Sequence, residues 1–137
     1  MGTVYAEITL RNAEDVVCAK HGYLPDEAIR VVTVTAVVDT GAHSLMIDNE
    51  TMRKLGLGAV GKQGVKIANG ERLVCPITDA VEINWKDRQT VMRAVAIPGL
   101  PQILLGVLPL QDMDLMVNPS RHELVGAHGD KVEYMAL

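Results

Sequence analysis

The start of the chain alternates between apolar and polar side chains. Every second residue from Val4 to Leu10 is apolar, and the residues between them are polar or, at Tyr5, amphipathic. This period of two is typical of a strand with one buried face. The segment 30–38 is an almost unbroken run of β-branched residues, which predicts a second strand, apolar on both faces and central in its sheet.

Further short apolar runs, separated by Gly, Pro, Asn and charged residues, predict the remaining strands. They cover 45–47, 65–67, 72–74, 79–85, 89–97, 103–106, 115–117 and 123–125. Asn69-Gly70 lies between two of these runs and is suited to a type I′ hairpin turn. Glycines recur from 56 to 64, where we expect a mobile connection.

Two or three short helices fit between the strands. Asn12 and Asp48 are good N-caps, and Gly22 and Gly56 are suitable ends for the helices that follow those caps. Another short helix is predicted over 108–113. The pattern contains no repeat, low-complexity segment or linker, so it predicts an all-β chain with a few short helices, folded as a single domain over residues 1–137.

Composition and charge exclude several classes of function. The chain has a net charge of −4, three Tyr, one Trp, no Phe and no basic run, so we expect no nucleic-acid partner. No apolar stretch reaches the roughly 18 residues of a membrane helix, so we expect no membrane partner. Cys18 and Cys75 lack CxxC spacing, which favours two buried thiols in a cytoplasmic protein.

Asp39 is the first candidate for chemistry, because it directly follows the second predicted strand. The sequence there reads VVDTGA, so the acid lies in a tight loop that Gly41 allows to turn. A carboxylate at the end of a strand can face a cleft. The alternative is an aspartate that only caps its own turn, since the tripeptide DTG alone is short and common.

Further motifs follow Asp39 along the chain. After VDTGA at 38–42 come ANG at 68–70, LLG at 104–106 and DMD at 112–114, in that order. The set resembles the retropepsin-like aspartic proteases, and more closely the small, bacterial, single-domain members of clan AA. The resemblance covers nearly the whole chain and implies a closed retropepsin-like acid-protease barrel with one DTG loop per chain.

This resemblance implies an aspartic endopeptidase that acts as a homodimer on an extended polypeptide substrate. Two Asp39 carboxylates, one from each chain, would lie about 3 Å apart and share one proton. The ionised carboxylate would take a proton from a bound water, and the protonated one would donate to the peptide carbonyl. Such a pair requires no metal and no cofactor.

The same resemblance implies roles for individual residues. Asp39, Thr40 and Gly41 form the catalytic loop, in which Thr40 would hydrogen-bond across the dimer and Gly41 would let the substrate backbone approach. The hairpin over 65–74 corresponds to the family's flap, although an ordinary hairpin is equally compatible with its sequence. The residues assigned to substrate binding are Ala42, His43, Ala68, Asn69, Gly70 and Leu104.

Two positions depart from the retroviral members of the family. His43 and Val107 stand where those enzymes pair an acid with an arginine near the dimer interface, which predicts an interface of a different kind. His43 either tunes the acids or contacts substrate, or it is a solvated loop residue. The four histidines show no spacing typical of metal ligands.

Two other interpretations fit the pattern. The first is a catalytically silent module with the retropepsin fold that serves dimerisation or peptide binding. The intact Asp39, Thr40 and Gly41 favour the enzyme over this module. The second is an unrelated small β-barrel in which DTG is only a turn, for which we expect a monomer.

Overall fold

Short strands make up most of the structure, a computed structural model that describes residues 2–130. Within this range the strands are β1 (Tyr5–Asn12), β2 (Val31–Val38), β3 (Leu45–Ile47), β4 (Ala59–Lys66), β5 (Arg72–Trp85), β6 (Arg88–Ala96), β7 (Leu104–Leu105), β8 (Leu115–Asn118) and β9 (Glu123–Gly126). The α-helices are α1 (Ala13–Lys20), α2 (Asn49–Lys54) and α3 (Val107–Asp112), and Asp26–Ala28 form a short 3-10 helix. The prediction of an all-β chain with a few short helices is confirmed. Residue 1 and residues 131–137 of the predicted domain lie outside the described range.

Seven of the strands form one sheet, in the order β1-β2-β7-β3-β6-β5-β4. β1 also pairs with β5, so six strands form a ring of hydrogen-bonded neighbours and β4 extends it outside the ring. The pairs β2–β7 and β3–β6 are parallel, and the other pairs are antiparallel. β8 and β9, which contain the predicted strands 115–117 and 123–125, form a separate two-stranded sheet.

The two N-caps predicted from the sequence are confirmed. Oδ1 of Asn12 accepts a hydrogen bond from the N–H of Asp15 (3.1 Å) at the start of α1. Oδ1 of Asp48 accepts one from the N–H of Thr51 (3.1 Å) at the start of α2. Each bond satisfies an amide that has no partner within its own helix.

The main core fills the inside of the ring. β1 contributes Ile8 and Leu10, which are 1% and 0% exposed, because its alternating apolar residues all face inward. Leu45 and Leu105 join them from β3 and β7. Burying one such side chain stabilises the fold by about 1.5–3 kcal/mol. Aliphatic side chains dominate this core, and Trp85 is its aromatic member.

A second, smaller cluster lies beneath the hairpin formed by β4 and β5. Its members, here called the hairpin cluster, are Cys75, Val95, Ile97, Met46, Val65, Leu73 and Leu100. The first three are buried, and the others pack against them. The hairpin therefore has a packing unit that is distinct from the main core.

The glycine-rich segment differs from the prediction. Residues 59–66 form β4 and pair with β5, so this stretch is a strand and not the mobile connection expected there. Its backbone pairs although its glycines carry no side chains, because the long β5 offers partners along most of its length, with one irregularity between Ala59 and Gly61. β5 itself is one strand of 14 residues that joins the two predicted segments 72–74 and 79–85.

Only one of the two cysteines is buried as predicted. Cys75 is completely buried, whereas Cys18 is exposed on α1. The reason is that α1 lies on the outside of the ring and buries a single residue, Asp15. The interpretation of Cys18 as a buried thiol is therefore wrong.

Asp15 ties α1 to the segment that leads into β2. Its carboxylate accepts hydrogen bonds from the backbone N–H (3.0 Å), Nε (2.8 Å) and Nη2 (2.9 Å) of Arg30. The Arg30 guanidinium holds the pKa of Asp15 below its usual value, although burial acts in the opposite direction. This charge pair stabilises the ionised carboxylate only in the folded chain.

We expect Asp15→Asn to lower the free energy of unfolding by about 1–2 kcal/mol at neutral pH, because charge-assisted hydrogen bonds are lost. Since the folded pKa of Asp15 is lowered, its contribution is full above the unfolded value of about 4 and is lost as the pH falls through the folded value. Urea unfolding of both proteins at neutral and strongly acidic pH measures this. If the two proteins differ in their free energy of unfolding by the same amount at both pH values, the ionised Asp15 carboxylate is not the source of the stabilisation.

Glu50→Gln is the matched control. Glu50 forms exposed contacts with Lys54 (3.5 Å) and Arg53 (3.9 Å) on α2. Exposed pairs of this kind contribute less than about 1 kcal/mol. We therefore expect a smaller change for this variant than for Asp15→Asn.

Candidate functional site

Asp39 lies in the loop between β2 and β3, directly after the end of β2. Its N–H donates to the carbonyl oxygen of Leu105 (3.0 Å), which fixes the loop against β7. Its Oδ1 accepts a hydrogen bond from the N–H of Gly41 (2.9 Å), and its carbonyl oxygen accepts one from the N–H of Ala42 (3.0 Å). The loop's own backbone therefore orients the carboxylate.

The two carboxylate oxygens of Asp39 differ in their hydrogen bonding. The bond from Gly41 is the contact that a turn-capping aspartate makes, and it occupies Oδ1 only. Within residues 2–130 the structure describes no hydrogen bond to Oδ2. The side chain is half-buried. One oxygen is thus held in place, and the other is available to a ligand or a second carboxyl group.

The start of α3 holds the rest of the loop. The N–H groups of Gly106, Val107 and Leu108 donate to the carbonyl oxygens of Ser44 (3.0 Å), Ala42 (2.9 Å) and His43 (2.9 Å), respectively. A Cβ at position 106 would lie 2.5 Å from the oxygen of Ser44 and 2.6 Å from that of Ala42. Position 106 therefore requires glycine. The LLG motif contains this residue, but the sequence alone indicates no role for it.

A cleft of about 770 Å³ opens next to Asp39, between the β2–β3 loop and the β4–β5 hairpin. Seven residues that the sequence singled out line it: Asp39, Gly41, Ala42, His43, Ala68, Asn69 and Leu104. Thr40 and Gly70 are not among its lining residues. The structure thus brings the DTG loop, the hairpin tip and β7 together around one cavity.

The tip of the β4–β5 hairpin forms one edge of the cleft. The N–H of Gly70 donates to the carbonyl oxygen of Ile67 (2.9 Å), and the N–H of Ile67 donates to that of Glu71 (2.9 Å). Gly70 has φ +88°, whereas Asn69 has no positive φ. The predicted type I′ turn is therefore wrong, because that turn needs positive φ at both central residues. The loop is a three-residue turn with a glycine bulge.

The opposite wall of the cleft is apolar. Residues 97–101 line it as a turn in which the N–H of Leu100 donates to the carbonyl oxygen of Ile97 (3.3 Å). Gly99 has φ +71° at the position where such a turn requires it. Five members of the hairpin cluster also line the cleft: Met46, Val65, Val95, Ile97 and Leu100. A ligand in the cleft would therefore pack directly on that cluster.

A second concavity, of about 440 Å³, lies on the other side of Asp39. We call it the lateral groove. Thr40 and Asp39 line it together with Val4, which precedes β1, and with apolar residues of β2 and β8, such as Val37 and Val117. Asp39 therefore borders two cavities, and Thr40 belongs to the lateral groove rather than to the cleft.

Residues 2–130 contain no group of three or more His, Cys, Asp or Glu side chains arranged to hold a metal ion. In the same range no helix has both the length and the apolar character needed to cross a membrane. The chemistry that the site itself offers is that of an oriented carboxylate. One carboxylate can act as an acid or as a base, depending on its protonation, but not as both at once.

One solved structure supports a retroviral protease-like fold for this chain. The retroviral protease-like domain of Ddi1 from Leishmania major superposes with a TM-score of 0.58 at 16% sequence identity, over 96% of this chain and 91% of that one. A retropepsin-like aspartic protease from Rickettsia conorii gives a TM-score of 0.45 at 16% identity, over 86% of this chain and 89% of that one. No curated protein matches the sequence significantly.

A family model described as aspartyl protease matches residues 28–108. The matched segment includes the DTG loop, both strands of the hairpin and the glycine that begins α3. It covers more than half of the chain and contains most of the cleft-lining residues. The retropepsin-like resemblance of the sequence is confirmed, and the chain belongs to the aspartyl protease family.

Proposed function

We propose that this protein is an aspartic endopeptidase that hydrolyses peptide bonds as a homodimer. In this proposal residues 1–137 are one retropepsin-like domain, and the ring of strands is its closed acid-protease barrel. The observation that carries the proposal is the hydrogen bonding of the Asp39 carboxylate. One of its carboxylate oxygens accepts from the N–H of Gly41, and the other has no hydrogen bond within residues 2–130, at the junction of two cavities.

Catalysis in this proposal uses two Asp39 carboxyl groups, one from each protomer. Two carboxylates about 3 Å apart cannot both ionise easily, so the pair holds one proton over a range of pH. The ionised group takes a proton from a water molecule as that water attacks the peptide carbonyl carbon. The protonated group donates its proton to the carbonyl oxygen. Transfer of a proton to the amide nitrogen then lets the C–N bond break.

The lateral groove supports the place we propose for the second protomer. Asp39 lines both the cleft and the lateral groove, so a second carboxyl group in the groove would leave the cleft to the substrate. Thr40 lines the groove there, and its hydroxyl can both donate and accept a hydrogen bond. We therefore propose that Thr40 contacts the partner subunit and keeps the two acids at a fixed distance.

The cleft supports an extended polypeptide as the substrate. Its walls are mainly apolar, and the edge strand β4 contributes Gln63, Gly64, Val65 and Lys66 to them. A peptide can lie along such a strand as an added strand, with its apolar side chains against Leu104 and the hairpin cluster. In this proposal Ala68, Asn69 and Gly70 form the tip of a flap that closes over the peptide and excludes water.

The alternative function is a catalytically silent module for dimerisation or peptide binding. The departures at His43 and Val107 favour it to the extent that they distinguish this chain from active retroviral enzymes. Such a module would use the same cleft and groove. It differs from the enzyme only in the absence of hydrolysis, so the two proposals are separated by measuring cleavage and association together.

We expect Asp39→Asn to abolish peptide cleavage while the dimer still forms, because the amide cannot accept a proton from water. Wild type and variant are incubated with a diverse peptide library at several pH values, with cleavage read by mass spectrometry and association by sedimentation. Asp87→Asn is the control, since Asp87 lies in the exposed β5–β6 turn. Cleavage by the Asp39 variant would rule out the proposed catalyst, and dimers without any cleavage would favour the silent module.

We expect Thr40→Ala to raise the dissociation constant of the dimer and to lower cleavage in proportion, because a hydrogen bond across the interface is lost. The loss of one such bond corresponds to a factor of about 2–10. Thr35→Ala is the matched control, because Thr35 is an exposed threonine of β2 that lines neither cavity. An unchanged dissociation constant with unchanged cleavage would remove Thr40 from the interface.

We expect a bound peptide analogue to slow the labelling of Cys75 several-fold, because it holds the hairpin closed over the hairpin cluster. Cys75 is completely buried, so a reagent can reach it only when the cluster opens, and burial also raises the pKa of its thiol. The probe is a library-selected peptide whose scissile amide is replaced by a hydroxyethylene group. Cys18 is the internal control, because it is exposed on α1. Equal Cys75 labelling rates with and without saturating analogue would contradict a closing flap.

A further inference from the structure

The part of the hairpin in which β4 and β5 pair, residues 59–78, carries a positive charge in a chain that is negative overall. Residues 59–78 contain three basic residues, Lys62, Lys66 and Arg72, and one acidic residue, Glu71, which gives a formal charge of +2. The whole chain has a net charge of −4, so the remainder carries −6. The charge of this paired segment is therefore opposite in sign to that of the rest of the sequence.

These three basic residues have no carboxylate partner in the described part of the chain. Ion pairs within residues 2–130 involve other cations, such as Arg11 with Glu82 (2.5 Å) and Arg30 with Asp15 (2.8 Å). Lys66 and Arg72 lie opposite each other at the end of the hairpin, and both are exposed. The result is a pair of neighbouring cations without an internal counter-charge.

Lys66 is also part of the cleft. Apart from Asp39, it is the only formally charged residue at neutral pH among the lining residues that the structure describes. The other lining residues nearby on the hairpin are apolar or neutral, such as Val65, Ile67 and Asn69. Lys66 is exposed, so solvent and salt screen its charge, but its neutral neighbours in the cleft lining place no competing charge beside it.

The two ends of the cleft therefore differ in their interaction with a negatively charged ligand group, which is attracted at one end and repelled at the other. Asp39 repels an anion at the DTG loop, whereas Lys66 attracts it at the hairpin and offers three hydrogen-bond donors. Arg72 adds to this attraction from the adjacent strand. The apolar walls between these charges accept the side chains that flank the anion.

We propose that Lys66, assisted by Arg72, is a specificity-determining residue that selects peptides with an acidic side chain at the hairpin end of the cleft, next to apolar residues. This inference rests on the proposed function, because it concerns the substrate of the same site. The apolar walls of the cleft favour apolar side chains of the substrate. Lys66 adds a preference for one acidic side chain.

Binding to the Asp39→Asn protein tests the inference without cleavage. Fluorescent peptides from the library are made in matched pairs that differ only in Glu or Gln, with the substituted position moved along the peptide. Anisotropy titrations measure the dissociation constants at low and high salt. We expect one position at which Glu binds about two- to five-fold more tightly than Gln, and a smaller ratio at high salt.

Variants of the hairpin then assign the effect to a residue. Lys66→Met should bring the Glu/Gln ratio close to one, Lys66→Glu should reverse it, and Arg72→Met should reduce it partly. Lys54→Met is the control, because Lys54 is an exposed lysine of α2 that does not line the cleft, and it should leave the ratio unchanged. Circular dichroism and sedimentation verify that each variant keeps the fold and association state of its parent.

The outcomes separate this inference from the proposed activity. The role of Lys66 is overturned if Glu and Gln peptides bind equally at every position. It is also overturned if the Glu/Gln ratio of the dissociation constants is unchanged in Lys66→Met. The same peptide pairs are given to the wild-type protein, and kcat/KM is compared. Cleavage without a preference for Glu refutes only the specificity, whereas a Glu preference in binding without any cleavage supports the specificity and refutes the protease.

Discussion

The close approach of two backbone segments controls the geometry of the site. The amides at the start of α3 bond to three consecutive carbonyl oxygens of the loop after β2, and this contact leaves no room for a side chain at Gly106. β7 delivers those amides, because it is held between β2 and β3. The orientation of Asp39 therefore depends on the pairing of segments that are more than sixty residues apart in the sequence.

The two hydrophobic clusters divide the structure into a scaffold and a cover. The main core lies inside the ring and supports β2 and β7, which carry the DTG loop. The hairpin cluster lies outside that core and shares five of its seven members with the cleft. Apolar contacts made by a ligand would thus add to the packing of the hairpin and leave the scaffold unchanged.

The sequence predicted those features that depend on local chemistry. The caps at Asn12 and Asp48, the alternation in β1 and the DTG loop all follow from residues that are close together in the chain. The sequence predicts a strand at 65–67, but the strand character of 59–64 was not predictable, because it depends on partners in β5 rather than on its own glycines. The hairpin turn was ambiguous for a similar reason, since a glycine with positive φ serves both turn types. The exclusion of Thr40 from the cleft follows from how the loop is held, which no local pattern records.

The position of β4 has a consequence for how the molecule moves. β4 pairs with β5 alone, and most of its residues are exposed. Its separation from the ring breaks one set of strand contacts and removes Val65 from the hairpin cluster, while the six remaining strands keep their partners. Segments with so few buried contacts open at a lower free energy than the whole domain and form their own cooperative unit. The cleft can thus be uncovered by local unfolding, and its cover can change in sequence without endangering the fold that carries Asp39.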